Sequence, residues 1–250
     1  MEFSFRSTLI LGLLILQESL AGIPSSIQKC RPADVVCIAK TTTKILNDYP
    51  NGNAELGLRR IEPIHLDEMV VARTNGNNPL NLNFKFTNLD VFGLSKLNVT
   101  KVVGFEKDLK KSKFEMYVII PELRIKGHYE ANGRILLLPI VGNGTADLQL
   151  KNFKSGVKLK FAIIKEDGKE RISILKMKVH NEPELMSIKL DNLFNGNKAV
   201  GDELNKVIND NWRDVWTELE SGINEGYSDI IKLLLSEVLQ VISYDEFYID

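Results

Sequence analysis

From Val200 to Leu239 apolar residues fall at Val200, Leu204, Val207, Ile208, Trp212, Val215, Trp216, Leu219, Ile223, Tyr227, Ile230, Ile231, Leu234, Val238 and Leu239, and no proline interrupts the run. Steps of three and four place these residues on one stripe of an α-helix. The pattern predicts a single helix over 200–239, roughly 60 Å long at about 1.5 Å per residue. Gly222 and Gly226 lie inside it. Each costs up to about 1 kcal/mol against alanine, so a kink or break is expected there.

A shorter helical pattern runs through Cys37, Ile38, Thr41, Thr42, Ile45 and Leu46 and stops at "NDYPNGN". Between the two helices the period changes to two. "LNLNFKF" puts Leu80, Leu82, Phe84 and Phe86 on one side and Asn81, Asn83 and Lys85 on the other, which is a half-buried strand. In "SKFEMYVII" the same face takes Phe114, Met116, Val118 and Ile120. "VKLKFAIIKEDGKERISILKMKVH" reads as two strands joined through the Asp-Gly of "EDGK". Pro121 and Pro139 fall inside strand-like runs. Neither can donate to a ladder, so each predicts an edge, a bulge or a strand end. Glycines at Gly93, Gly104, Gly127, Gly133, Gly142, Gly144 and Gly156 allow strong bending of so long a sheet. The expected fold class is α+β, with a long antiparallel sheet curled around a long C-terminal helix. Patterning alone allows either a solid core or an apolar tunnel between the two.

The first twenty-one residues stand apart. A polar start with Arg6 leads into "LILGLLILQ" and then "SLAG". The apolar run is too short to span a bilayer, which takes about twenty residues. Ser19 and Ala21 suit a cleavage site, so residues 1–21 read as a signal peptide and 22–250 as one mature domain. A buried N-terminal helix is the alternative. Removing that segment takes Glu2, Glu18 and Arg6 with it and leaves acidic and basic residues balanced. A chain without net charge has no global field to draw nucleic acid or an anionic membrane surface.

There are two cysteines, Cys30 and Cys37 in "CRPADVVC". In an exported chain such a pair most simply forms a disulfide. On a continuous helix residues seven apart lie about 10.5 Å apart along the axis, beyond the roughly 7 Å that a disulfide tolerates between Cα atoms. Pro32, suited to a first helical turn, lets Cys30 lie in the entering chain and fold back onto Cys37. Two thiols without a nearby histidine are half a ligand set, so no metal site is expected. "NVT" at Asn98 and "NGT" at Asn143 are glycosylation sequons.

Catalytic patterns are weak. There is no G-x-S-x-G elbow, H-E-x-x-H or phosphate loop, and His65, His128 and His180 are scattered. The reading is a protein without enzymatic activity or cofactor.

The blocks "LGLRRIEPIHLDEM", "VFGLSKLNVTKV", "PELRIKGHYEANGRILLLPIVGNGTADLQLKN" and "LFNGNKAVGDELNKVINDNWRDVW", with the N-terminal cysteine pair and the tail "ISYDEFY", follow one another in an order and spacing similar to the insect takeout and haemolymph juvenile hormone-binding protein family. The resemblance covers the whole mature chain. It implies a tubular lipid-binding fold with an internal apolar tunnel. It also implies a secreted, extracellular carrier of a hydrophobic small molecule, such as a juvenile hormone-like terpenoid or a fatty acid, in haemolymph or another body fluid. The Cys30–Cys37 pairing carries over from the family; its ligand contacts do not. By strand parity and helix face the candidate tunnel wall is Phe84, Phe86, Val99, Met116, Val118, Phe161, Ile163, Trp212 and Trp216. Tyr117, Tyr129 and Tyr227 are candidates for a polar group at the tunnel mouth. Two other functions fit the same sequence: lipid transfer at a membrane surface, and a scaffold that signals through a protein partner.

Overall fold

The computed structural model describes residues 23–74, 81–109, 112–136, 138–166, 169–242 and 244–249. The expected signal peptide, Leu80 and the Asp167-Gly168 turn lie outside the described residues. The elements run α1 (Val35–Asp48), β1 (Ile64–Ala72), β2 (Leu82–Phe92), β3 (Asn98–Gly104), β4 (Phe114–Ile135), β5 (Leu138–Glu166), β6 (Lys169–Glu182), β7 (Leu185–Leu190), α2 (Lys198–Asp210) and α3 (Trp212–Val241).

All strands join one antiparallel sheet in the order β1-β2-β4-β5-β6, with β3 added to β4 and β7 to β5. Its spine is the β4–β5 hairpin. β5 has 29 residues, which drawn straight would span roughly 95 Å, so the pair has to bend. The ladder skips Pro121 and Asn152 between the pairs Ile120↔Phe153 and Glu122↔Lys151. Asn152 takes a positive φ of 44°, as short polar residues tolerate. At the same point both outer neighbours change. β4 is paired to β3 up to Ile119 and to β2 from Arg124, while β5 is paired to β7 up to Lys151 and to β6 from Lys154. Pro121 therefore occupies a ladder position that nothing claims, and its missing N–H is harmless there.

The parity predicted for the strands holds. Leu82, Phe84 and Phe86 are buried, as are Phe114, Val118 and Ile120, with Met116 half-buried; Leu97 and Val99 point inward on either side of the exposed Asn98. The concave face of the sheet covers α3.

The predicted single helix is two. α2 ends at Asp210 and α3 starts at Trp212, with Asn211 between them at φ −109° and ψ 29°. The Asn211 side chain donates to the Val207 carbonyl at 2.8 Å, offering the backbone a local partner that competes with helix continuation. Gly222 and Gly226 are not the break. They lie within α3, on the side facing β1. A Cβ at Gly222 would stand 1.7 Å from the Val71 carbonyl oxygen, and one at Gly226 would stand 2.5 Å from Met69 Sδ. These glycines let helix and strand approach closely.

Candidate functional site

The interior differs at its two ends. Around α2 and the first half of α3 it is packed. Val71, Phe84, Phe86, Ile140, Leu219 and Ile223 surround a void of only about 20 Å³, near the least that one water needs. Phe84 lies edge-on to Tyr129, with ring centroids 6.1 Å apart, and Phe153 edge-on to Trp216 at 6.4 Å.

Around the second half of α3 the interior is hollow. A cavity of about 360 Å³ lies among α1 (Ile38, Ile45, Leu46), β4 (Met116, Val118), β5 (Val157, Phe161) and α3 (Tyr227, Ile230, Leu234, Val238). Its wall is overwhelmingly apolar, and its size falls in the range of small-molecule sites. α1 is capped at its start and tied to β3 through its second half. Asp34 caps its N-terminus, accepting from the Cys37 N–H at 3.0 Å, and Thr43 Oγ1 accepts from the Val99 N–H at 2.9 Å.

The disulfide lies at this end. Cys30 and Cys37 are joined with Cα atoms 5.7 Å apart. Pro32 is not in the first helical turn; the helix starts at Val35 after Ala33, whose φ is 60°. That turn brings Cys30 back over the helix. Cys30 also accepts from the Ile249 N–H at 3.0 Å and bridges to Tyr248. The segments around Cys30 and Tyr248 thus meet on the same side of the cavity, where both residues form part of its wall.

Of the residues chosen from the sequence, Met116, Val118, Phe161 and Tyr227 come together on this wall. Phe84 and Phe86 line the packed end instead. Tyr129 is buried there too, its hydroxyl donating to the Asp191 carbonyl at 2.8 Å; burial, then the Asp191 charge, pushes its pKa up to about 12. Trp216 is core against Phe153, and Trp212 is half-buried under the Arg213 guanidinium, 4.5 Å from its ring centre. Val99 is buried beneath α1, outside the cavity. Ile163 is 51% exposed. Tyr117 faces outward and donates to Glu115 at 2.9 Å.

Parity says which face a residue takes and not which end of the sheet is hollow. The α1 wall and the aliphatic residues after Tyr227 were missed as ligand contacts. Their only signal was an apolar face on each helix, which core packing explains equally well.

Both sequon asparagines, Asn98 and Asn143, are exposed. Among the described residues no three His, Cys, Asp or Glu side chains cluster in metal-binding fashion, and no helix is long and apolar enough to cross a membrane.

A curved antiparallel sheet closed over a helix, hollow at one end and lined there with aliphatic side chains, defines the tubular class of hydrophobic-ligand-binding folds. The chain belongs to the haemolymph juvenile hormone binding protein (JHBP) family, whose sequence profile matches residues 8–249. It is similar to the circadian clock-controlled protein daywake of Drosophila melanogaster, 28% identical over 236 residues that cover 92% of this chain and 90% of that protein. The daywake protein of Drosophila yakuba is 26% identical over 234 residues, covering 92% and 90%. Among solved structures, Takeout 1 of Epiphyas postvittana superposes with a TM-score of 0.72 at 27% identity, covering 86% of this chain and 95% of that one.

Proposed function

We propose that this chain is a secreted carrier that holds one hydrophobic small molecule, a terpenoid or a fatty acyl compound, in the cavity beneath α1. The observation that carries the reading is the 360 Å³ aliphatic cavity, beside a packed end where Phe84 and Phe86 leave a void of only about 20 Å³. Removing apolar surface from water yields about 25 cal/mol per Å². A ligand burying about 400 Å² would gain on the order of 10 kcal/mol before the costs of association. No catalytic group is needed for that. The family, the disulfide, the exposed sequons and the apolar leader of residues 1–21 all support export, with residues 22–250 as the mature domain.

The test is native mass spectrometry of the secreted protein, then organic extraction. A stoichiometric apolar molecule that comes off is the expected result. A protein that is empty and takes up neither terpenoids nor fatty acids would overturn the reading.

One observation favours a second role, delivery at a membrane. Ile163, Ile164 and Leu175 are 51%, 42% and 69% exposed, on strands whose inward residues Phe161 and Ile172 line the cavity. Liposome flotation of the loaded protein separates the two: a carrier confined to solution stays at the bottom of the gradient.

A further inference from the structure

Where α3 crosses β5 and β6 the cavity wall stops being aliphatic. Tyr227 lines the cavity there and is 7% exposed. Beside it, Ser155 on β5 and Asn181 on β6 are register partners across the ladder. They are the fully buried polar side chains among the described residues, at 3% and 1% exposure. Asn224, one turn before Tyr227, accepts from Asn181 Nδ2 at 2.8 Å. The other polar atoms, Ser155 Oγ and Asn181 Oδ1, have no hydrogen-bond partner among the described residues. The Tyr227 hydroxyl neighbours Ser155, but without the geometry of a hydrogen bond.

Buried polar atoms are nearly always satisfied. Two unmet ones on directly opposed residues, beside a cavity, point to a third group between them. Opposed residues of an antiparallel pair have Cβ atoms about 4.5–5.5 Å apart, so one small group can reach both. Asn181 Oδ1 only accepts, so the group has to donate. Ser155 can donate, so the group also accepts. A hydroxyl does both. The side chains that face this point from β5, β6 and α3 (Ser155, Val157, Asn181, Asn224 and Tyr227) are all uncharged. Burial moreover pushes the Tyr227 phenol up to about 12, which keeps it a neutral donor. An anionic head would be desolvated there without compensation.

We infer that Ser155, Asn181 and Tyr227 form a polar seat at the inner end of the cavity for the hydroxyl of a neutral long-chain alcohol, whose apolar tail lies along Val157, Ile230 and Leu234. The inference rests on the carrier reading and adds the ligand's head group and its orientation to it.

The experiment compares a saturated primary alcohol with its methyl ether and with the carboxylate of the same chain length, using displacement of a fluorescent probe from the full secreted chain. The ether keeps the acceptor and loses the donor. The alcohol is expected to bind about tenfold more tightly than the ether, as one hydrogen bond allows, with the carboxylate weaker than the alcohol. Asn181→Leu, which keeps the volume and removes the acceptor, should shrink the alcohol's advantage over the ether, whereas Ser155→Ala and Tyr227→Phe, which remove donors that either ligand oxygen can use, should weaken both ligands together. Equal affinities for alcohol and ether, as a structural water between Ser155 and Asn181 would give, overturn the seat and leave the carrier reading standing. So does an alcohol advantage that survives Asn181→Leu undiminished, which would place its origin outside the seat. Binding of none of the three overturns the carrier reading and the seat together.

Discussion

Asn209 reads the main chain of Ile188 as a neighbouring strand would. Its side-chain amide accepts from the Ile188 N–H at 2.8 Å and donates to the Ile188 carbonyl at 2.8 Å. One turn earlier Asn205 does the same with Leu190, at 2.9 Å in each direction. The spacings match: four helical residues rise about 6 Å and two strand residues about 6.6 Å. α2 thereby covers the edge of β7 that β5 leaves open, and edges of that kind otherwise invite pairing with other chains. Asn209→Leu keeps the volume and removes both bonds. It should cost about 2–4 kcal/mol through two stranded backbone groups, read as a lower urea midpoint with unchanged slope. A shift below about 0.5 kcal/mol would mean that solvent replaces the asparagine.

Two helical glycines should answer alanine with opposite signs. At Gly201 an added Cβ meets nothing nearer than Leu193 Cβ at 3.4 Å, so Gly201→Ala should stabilise by about 0.4–1 kcal/mol. At Gly222 it meets the Val71 carbonyl. The gain in helix propensity of about 1 kcal/mol is there outweighed by forcing α3 off β1. A net loss of about 1–3 kcal/mol is expected. Thermal melts of the two variants side by side check the contrast.

On the outer face Arg124 grips Asp147 with Nε at 2.7 Å. The guanidinium hydrogen bond, and secondarily its charge, hold the Asp147 carboxyl below its usual range. A depressed folded-state pKa contributes stability that is complete above the unfolded value, about 3.9, and is lost as pH falls through the folded value. Since the pair is partly exposed, with side chains 33% and 27% accessible, its worth should not exceed about 1 kcal/mol. Asp147→Asn should flatten the decline in stability below about pH 4. Urea midpoints from neutral to acid pH measure it, and an acid limb unchanged by the substitution would count against the assignment.

Tryptophan scanning should map the hollow. Val118 is on the cavity wall and Ile163 is outside it. Val118→Trp should weaken probe binding by at least about tenfold, ~1.4 kcal/mol, whereas Ile163→Trp should leave it unchanged. Equal losses in both would place the ligand elsewhere.

Removing the disulfide tests how far the joined segments around Cys30 and Tyr248 secure the cavity. Cys30→Ser with Cys37→Ser opens a short loop and should cost about 2–3 kcal/mol by chain entropy. Because Cys30 holds Tyr248 and Ile249, proteolysis should reach the C-terminal segment first.

Much of this architecture can be read from the chain. A period of two is a direct record of which face of a strand meets the core, and it placed Phe84, Phe86, Met116 and Val118 inward. The helix break at Asn211 was not legible, because the apolar stripe runs straight across it and only a local side-chain bond interrupts the backbone. Gly222 and Gly226 were read by propensity as weak points, when the property that matters is their missing Cβ against a strand distant in sequence. Ile163 has the parity of Phe161, yet burial falls away beyond that residue. The site was legible only in part for a similar reason. Phe86 and Met116 have the same pattern; whether the space opposite is filled depends on the girth of distant side chains.

The divided interior bears on how a fold of this class can change what it binds. The half built on Phe84, Phe86, Tyr129 and Trp216 supplies the dense packing that folding requires. The half around Met116, Val118, Val157 and Ile230 is already underfilled, so exchanging one aliphatic residue for another there reshapes the hold without dismantling the hull. A lineage that needs to hold a different molecule can retool one end and leave the other alone.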